Sequence, residues 1–328
     1  MDGFWLYAAF LTFVIGMLLV DLKVFHAEEH VASTKEAAWW AVFWIGLGLV
    51  FGVLVFFWKG SEPAAEYFAG FLIEKALSVD NMFVFILIFN YFAIPMAFQH
   101  QVLFYGILGA IIFRGLFIAA GVALISNFHW VIYIFGVFLI ITAIRIARGT
   151  EEVHPEKNPV LKLARRAFPT TSKFDGQKLF TRENGKRVAT PLFVTLLFIE
   201  FTDIVFAIDS IPAIFAITKD PFIILTSNVF AILGLRALYF LLAGSMTRFH
   251  LLKYGLAIIL GFVGVKMLLE AVHVVVPIWL SLSLIVAVLA GTVWLSLKVP
   301  PKEKAEPLPE GEGRAALDEE RRPTGQSS

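Results

Sequence analysis

Long apolar blocks, separated by short polar segments, occupy most of the first 298 residues of the chain. Nine of these blocks are long enough for an α-helix to cross a bilayer, which takes about 20 mainly apolar residues. Their approximate positions are 4–24, 38–58, 65–91, 102–125, 130–147, 190–217, 223–244, 252–274 and 277–298. The pattern predicts an all-α, polytopic membrane protein with about nine transmembrane helices.

Two longer polar stretches divide this pattern. The segment 148–189 is rich in lysine and arginine, and it predicts a basic connector between spans 1–5 (residues 1–147) and spans 6–9 (residues 190–298). The segment 299–328 is rich in proline, glycine and charged residues, a composition that predicts a disordered cytoplasmic tail.

Basic residues also predict the orientation of the chain. The positive-inside rule places the connector in the cytoplasm. The loops that share its side carry most of the remaining lysines and arginines, while the opposite side keeps only Lys59 and Lys219. We therefore expect a multi-pass protein of a bacterial-type cytoplasmic (inner) membrane, with the N-terminus outside and the C-terminus inside.

Composition excludes several kinds of partner and site. Apolar residues make up 59% of the chain, charged residues make up 16%, and the formal net charge is +1, so neither nucleic acid nor an acidic partner is indicated. Cysteine is absent, which excludes disulfides, thiolate metal sites and iron–sulfur clusters. Membrane lipids are expected partners, no tightly bound cofactor is expected, and protein partners stay unknown.

Two acidic motifs interrupt predicted spans 3 and 6. The first runs from Glu74 to Asn81 and the second from Glu200 to Ser210. A charged side chain at the centre of a bilayer costs roughly 2.5–3.5 kcal/mol on insertion scales, and such residues usually mark a proton, ion or substrate pathway. The candidate metal ligands are Glu74, Asp80, Asn81, Glu200, Asp203, Asp209 and Ser210.

Carboxylate, amide and hydroxyl oxygens are ligands preferred by Mg²⁺, Ca²⁺ and Mn²⁺. All seven histidines fall in loops or at span ends, so a zinc-type nitrogen site in the core is not indicated. Met82 could add a soft thioether ligand, although a lone methionine in an apolar helix more often only packs. A straight helix directs Glu74 and Asp80 about 120° apart, so either a helix unwinds locally, as Pro212 favours, or two adjacent sites exist.

Spans 3–5 resemble spans 6–8. Aligning the two acidic motifs places Glu74 against Asp203, or against Glu200 if a three-residue gap is introduced. The following span of each half carries an arginine after the phrase Ile-Leu-Gly, which is Arg114 in the first half and Arg236 in the second. With the orientation above, span 3 runs inward and span 6 outward, which predicts an inverted repeat. Inverted repeats with a polar site at their midplane are a recurring architecture of secondary transporters.

Charged side chains within the predicted spans could compensate the ligand charges or act as gates. These candidates are Lys75, Arg114, Arg236, Lys266, Glu270 and Asp21. Ion pairs that only join helices are the structural alternative, and a local Lys266–Glu270 pair is the simpler interpretation because the two residues are one turn apart. Asp21 is interpreted mainly as an interfacial residue. An arginine could also occupy the site when the cation is absent and move away when it binds.

The motifs are similar to those of the TerC family of integral membrane proteins, in particular its Alx-like branch. The resemblance rests on residues 74–81 and 200–212, with support from 264–269 and 33–37, and it covers about residues 1–298. It implies export of a divalent metal from the cytoplasm, with Mn²⁺ as the transported ion and the motif acids as its ligands.

The leading hypothesis is a secondary transporter that exports a divalent metal, most readily Mn²⁺, with proton exchange as a candidate driving reaction. The chain has no Walker A motif, so an ion gradient is expected to drive transport. A Ca²⁺/H⁺ antiporter, another cation pathway and a non-transporting membrane scaffold are the alternatives. The Tyr-Asp and Gly-x-Gly-Asp motifs of intramembrane aspartyl proteases are missing, so enzymatic activity is not expected.

Overall fold

A computed structural model describes residues 2–26, 34–128, 130–148, 168–183, 185–243, 251–272 and 274–299, without the side chains of 2–4, 21–26, 34 and 271. Its helices are α1 (Asp2–His26), α2 (Thr34–Lys59), α3 (Ser61–Tyr91), α4 (Met96–Asn127), α5 (Val131–Arg148), α6 (Pro191–Phe215), α7 (Pro221–Ile232), α8 (Leu235–Ala243), α9 (Leu252–Ala271) and α10 (Ile278–Lys298). Two strands, β1 (Phe180–Glu183) and β2 (Lys186–Ala189), lie between α5 and α6. The predicted all-α polytopic fold is confirmed.

Seven helical segments of the described ranges are long and apolar enough to cross a membrane. They lie in α2, α4, α5, α6, α9 and α10 and in the segment Pro221–Ala243, which contains both α7 and α8. Predicted spans 1 and 3 are also helical. The described side chains of α1 cover only 5–20, however, and α3 carries five charged residues between Glu62 and Asp80. The count of nine transmembrane helices therefore stays a prediction.

The predicted seventh span differs from the structure because it is not one continuous helix. It ends as α7 and restarts as α8, and Gly234 between them adopts a φ of +82° that favours glycine. A Cβ at Gly234 would also overlap the side chain of Trp44 on α2. The carbonyls of Ala231 and Leu233 accept hydrogen bonds from Lys75 Nζ at 2.9 and 3.4 Å. By contrast, α6 continues as a helix through Pro212, where the sequence favoured a break.

Close contacts at glycines fix the relative direction of α4 and α6. Gly106 of α4 packs against Ile199 of α6, and Gly121 packs against Phe215 near the end of the same helix. Residue numbers therefore rise together along the contact, so α4 and α6 run in the same direction. The first turns of α4 lie beside the first half of α6, and this register brings the middle of α4 to the second acidic motif.

Helix α3 contacts α2, α6, α7 and α10 and has a central position in the described part of the bundle. It begins where α6 ends, because Thr218 Oγ1 donates to Glu66 Oε2 at 2.6 Å, so α3 and α6 are antiparallel. It runs in the same direction as α7, because Gly70 packs against Ser227 and Lys75 reaches the end of α7. The three helices α3, α6 and α7 thus surround one polar region.

The second half of the predicted connector contains a β-hairpin that the sequence did not predict. Strands β1 and β2 pair antiparallel, with Phe180 opposite Ala189. Phe180 also packs against Phe193 at the start of α6, with ring centroids 4.4 Å apart. The hairpin is therefore anchored on the helix that carries the second acidic motif. The first half of the connector and the tail lie outside the described residues, so the disorder of the tail stays a prediction.

Candidate functional site

Arg114 of α4 lies in the core of the bundle and joins both acidic motifs. Its Nη2 and Nε donate to the two carboxylate oxygens of Asp203 on α6, at 3.1 and 3.3 Å. Its Nη1 donates to Glu74 Oε1 on α3 and to the hydroxyl of Ser210 on α6, the latter at 3.4 Å. The structure therefore brings Glu74, Asp203 and Ser210 together around one guanidinium, and we call these four residues the Arg114 cluster.

The Arg114 cluster is almost completely removed from the surface. The side chains of Arg114, Glu74 and Asp203 are 2%, 0% and 6% exposed. Such burial gives little net stability, because the cost of desolvating the charges offsets most of their attraction. Two carboxylates and one guanidinium leave a formal charge of −1 in this core. An uncompensated acidic charge in a membrane protein is usually functional.

Two oxygen atoms on the α3 side of the cluster have no hydrogen-bond partner among the described residues. They are Glu74 Oε2 and Ser78 Oγ, and both are buried. Ser78 follows Glu74 by one helical turn, so the two side chains share a face of α3. A buried polar atom without a partner costs roughly 1–3 kcal/mol. These oxygens are therefore available to a ligand of the cluster.

Glu200 lies on α6 one turn before Asp203, and it packs against α4. A Cβ at Gly109 would overlap the Glu200 carboxylate, so the glycine is what makes room for that side chain. Glu200 is half-buried, and its Oε2 has no hydrogen-bond partner among the described side chains. The structure thus places this predicted ligand next to the Arg114 cluster, on the side where α4 and α6 begin.

Asp80 and Asp209 occupy matching positions in the two acidic motifs. Each lies six residues beyond Glu74 or Asp203, which corresponds to about 9 Å of helix rise. Because α3 and α6 are antiparallel, Asp80 and Asp209 are displaced in opposite directions. Both are half-buried, and Asp209 accepts a hydrogen bond from Thr142 Oγ1 of α5 at 3.2 Å. The predicted acids are therefore spread along the bundle.

The other sequence candidates lie in different parts of the core. Asn81 and Met82 are buried on α3, and Met82 belongs to an apolar cluster. Arg236 is 1% exposed and lies in the first turn of α8, just after the break. Lys75 caps the end of α7 through the two carbonyls named above. Asp21 lies in α1, and its side chain is outside the described part of the chain.

A second polar region lies where α3 begins, about two helical turns before the Arg114 cluster. A pocket of about 270 Å³ there is lined by residues that include Glu66, Lys266 and Glu270. Glu270 pairs with Lys219 at 2.8 Å, which links α9 to the segment after α6. Lys266 and Glu270 thus line one charged pocket at one end of the bundle, and a gating role for them stays a prediction.

The described residues contain no group of three or more His, Asp or Glu side chains arranged to hold a metal ion. In the Arg114 cluster, the guanidinium occupies the space between the two carboxylates. The donor set nevertheless suits a hard divalent cation, since it combines two carboxylates with hydroxyl oxygens. A cation that displaced Arg114 would find Glu74, Asp203 and Ser210 already adjacent.

Some residues that shape the site were missed by the sequence analysis. Thr142 bonds Asp209, and Thr218 bonds Glu66, yet each is a single hydroxyl in an apolar run and carries no pattern of its own. Gly109 enters the sequence analysis only as the last residue of the Ile-Leu-Gly phrase before Arg114. Its specific contact with Glu200 depends on the register between α4 and α6, which the sequence does not reveal.

Comparisons with known proteins agree with the membrane fold. The family described as "Integral membrane protein TerC family" matches residues 59–304. A Myxococcus xanthus protein, "Uncharacterized membrane protein STKORF319", is 50% identical over 293 residues, which cover 89% of this chain and 92% of the relative. No solved structure matches the chain.

Two further relatives cover similar shares of the chain. A protein of Escherichia coli (strain K12), named as a candidate membrane-bound redox modulator, Alx, is 44% identical over 299 residues, or 88% of this chain and 92% of the relative. An uncharacterized membrane protein of Rickettsia bellii is 42% identical over 289 residues, or 88% and 95%. The matched region includes both acidic motifs, Arg114 and the broken span, and the chain belongs to the TerC family of integral membrane proteins.

Proposed function

We propose that this protein is a secondary transporter that exports divalent cations from the cytoplasm, with Mn²⁺ as its main substrate. The observation that carries the proposal is the Arg114 cluster, in which carboxylates from two acidic motifs meet in an apolar core. Membership of the TerC family supports a transporter-like role. Mn²⁺ and Ca²⁺ both suit the oxygen donors, so Ca²⁺ is the second candidate substrate.

Arg114 acts in this proposal as an internal substitute for the cation. In the cation-free state its guanidinium neutralises part of the charge of Glu74 and Asp203. A divalent cation that reaches the two carboxylates replaces the guanidinium, and the formal charge of the two acids plus the metal becomes zero. A cationic group thus lies between the buried carboxylates in both states, which lowers the cost of emptying the site within the membrane.

The packing of the helices supports the inverted repeat that the sequence predicts. The repeat makes α3 equivalent to α6, α4 to α7–α8 and α5 to α9. The contact between α4 and α6 in one half should then have an equivalent between α7 and α3, and both pairs are in contact. Helices α3 and α6 are equivalent to each other under the repeat, and so are α5 and α9. The two helices of each of these pairs are also in contact. Motion of one half against the other would expose the Arg114 cluster to each side of the membrane in turn.

Asp80 and Asp209 then lie on the two routes to the site. Along their own helices they lie about 9 Å beyond Glu74 and Asp203, in opposite directions, and Asp209 is next to Ser210 of the cluster. In the predicted orientation, with the N-terminus outside and the C-terminus inside an inner membrane, Asp80 is on the cytoplasmic side and Asp209 on the external side. Asp80 would receive the cation from the cytoplasm, and Asp209 would pass it outward.

The word "redox" in the name of the Escherichia coli relative has no direct counterpart in the chemistry of this chain. The sequence contains no cysteine, so thiol–disulfide exchange by its own side chains is not available. A change in the cytoplasmic concentration of a redox-active metal such as Mn²⁺ would connect metal export with redox state. We therefore favour transport and not catalysis as the primary activity.

Flux measurements in proteoliposomes test the proposal. Purified protein is reconstituted, and Mn²⁺ movement is followed with a metal-sensitive dye trapped inside the vesicles, with and without a pH gradient. The variant Asp203→Asn removes one charge from the Arg114 cluster. The matched control Asp175→Asn makes the same change at a carboxylate that bonds Lys178 in the connector, away from the helices.

We expect wild type and Asp175→Asn to carry Mn²⁺ and Asp203→Asn to lose most of the flux. A dependence on the pH gradient would identify proton exchange as the driving reaction. Equal flux through Asp203→Asn and wild type would assign the cluster a purely structural role. If folded wild type carried neither Mn²⁺ nor Ca²⁺ under any gradient, the transport proposal would be rejected in favour of the scaffold alternative.

A further inference from the structure

Asn228 of α7 is an unusual buried side chain. It is 0% exposed, and neither its Oδ1 nor its Nδ2 has a hydrogen-bond partner among the described residues. Its two neighbours in the helix are satisfied, since Thr226 bonds the Phe222 carbonyl at 2.7 Å and Ser227 bonds the Ile224 carbonyl at 3.2 Å. Buried polar groups without partners are rare in native proteins, and each one asks for an explanation such as an ion or a ligand.

The register between α3 and α7 places Asn228 at the level of the Arg114 cluster. Gly70 of α3 packs against Ser227, and Lys75 bonds the carbonyl of Ala231. The two helices run in the same direction, so Asn228 lies level with the turn of α3 that ends at Glu74. Helix α4, which carries Arg114, also packs against α7.

The face of α3 that meets α7 carries two further unpartnered oxygens. Gly70, Glu74 and Ser78 follow one another at intervals of four residues, so they lie on one face of the helix. Gly70 contacts α7 directly, which identifies that face as the one turned towards Asn228. Glu74 Oε2 and Ser78 Oγ are both buried without partners among the described residues. The unpartnered Glu74 oxygen and the unpartnered Asn228 amide therefore lie within about one helical turn of each other along the bundle, and Ser78 lies one turn further along α3.

We propose that Asn228 is a ligand of the transported cation and donates its amide oxygen to the metal, an inference that rests on the proposed transport function. Glu74 and Asp203 supply the two negative charges, and Asn228, Ser78 and Ser210 supply neutral oxygens. This combination of carboxylate, amide and hydroxyl ligands is typical of hard divalent cations. Neutral ligands complete the shell without additional charge, so the site can bind the cation and still release it.

A purely structural role for Asn228 predicts a different mutational result. Replacing an unpartnered buried amide by an apolar group of similar size is neutral or stabilising, because the desolvation cost of the amide disappears. Asn228→Leu should therefore fold well and have an unfolding temperature at or above that of wild type without metal. If Asn228 is a ligand, the same variant should bind Mn²⁺ about 10-fold more weakly or worse.

The experiment is a calorimetric titration of MnCl₂ into the purified full chain in detergent, accompanied by thermal unfolding. Thr226→Val is the matched control, because Thr226 is equally buried two residues away and its hydroxyl bonds its own helix. We expect weakened binding for Asn228→Leu and unchanged binding for Thr226→Val. Asn228→Asp keeps an oxygen at this position and should bind Mn²⁺ at least as tightly as wild type.

Each of the other outcomes would contradict a specific proposal. If Asn228→Leu binds Mn²⁺ like wild type, Asn228 is not a ligand, while the proposed transport function stands. Equal weakening in Asn228→Leu and Thr226→Val would show that α7 is merely sensitive to substitution and would also overturn the inference. If folded wild type binds neither Mn²⁺ nor Ca²⁺, the transport function itself fails, and the ligand role of Asn228 fails with it.

Discussion

Removing the Arg114 guanidinium is the most direct perturbation of the proposed mechanism. In the variant Arg114→Gln, Glu74 and Asp203 stay buried and lose the cation that bonds both of them. Removing one partner of a buried ion pair destabilises a protein by about 3–5 kcal/mol, because the remaining charge is left uncompensated. We therefore expect a clear fall in the unfolding temperature of Arg114→Gln when no divalent cation is present.

Mn²⁺ should reverse most of this loss. A ligand that binds only the folded state stabilises it by about 2.7 kcal/mol at 100 times its dissociation constant and by about 4.1 kcal/mol at 1,000 times. These values are close to the expected cost of removing Arg114. The apparent affinity for Mn²⁺ should also be higher in the variant than in wild type, because the metal no longer competes with a resident guanidinium.

The assay is thermal unfolding of purified wild type and Arg114→Gln across a series of Mn²⁺ concentrations. Arg182→Gln, which removes an exposed arginine from strand β1, is the control for loss of positive charge. We expect Mn²⁺ to raise the unfolding temperature of Arg114→Gln much more than that of wild type or the control. Equal shifts in all three proteins, or an undiminished stability of Arg114→Gln without metal, would refute the idea that Arg114 substitutes for the cation.

Three further substitutions test the surroundings of the site. Gly109→Ala should displace the Glu200 carboxylate and reduce Mn²⁺ flux. The control Gly115→Ala adds a methyl group in open space on the same helix and should keep wild-type flux. Equal flux through the two variants would contradict this prediction. Gly234→Ala should lower the unfolding temperature, because its φ is positive and Trp44 fills the space of a Cβ. Lys75→Met should lower it by removing the donor to the end of α7, at a cost of about 1–3 kcal/mol, and an unchanged temperature would show that other groups replace Lys75.

Hydropathy located most helices well, because apolar segments that cross a membrane satisfy most of their backbone hydrogen bonds by forming helices. The predicted spans 38–58 and 130–147 correspond to α2 (Thr34–Lys59) and α5 (Val131–Arg148). The break between α7 and α8 was not predictable in this way. Its residues Leu233 and Gly234 lie within a mainly apolar run, and the break is stabilised by Trp44 and Lys75, which belong to other helices.

The sequence showed which types of residue form the site, but it did not show which of these residues lie next to each other. It predicted that one straight helix cannot direct all of its acids to one point. In the structure Glu74 and Asp203 meet at Arg114, and Asp209 accepts a hydrogen bond from Thr142 of α5. Which acids meet depends on the register between α3, α4 and α6. That register is set by contacts such as Gly106 with Ile199, far apart in sequence, so helical periodicity alone could not give it.

The position of Arg114 explains how acidic motifs can persist in a membrane core. A site with only carboxylates would carry two uncompensated charges whenever it was empty, and this cost would oppose release of the metal. With Arg114 present, the empty site has a formal charge of −1, and release becomes an exchange of one cation for another. In the proposed mechanism, the free energy of metal binding is then the difference between the interaction of the carboxylates with the metal and their interaction with Arg114. A moderate affinity of this kind suits a transporter, which must release its substrate in every cycle.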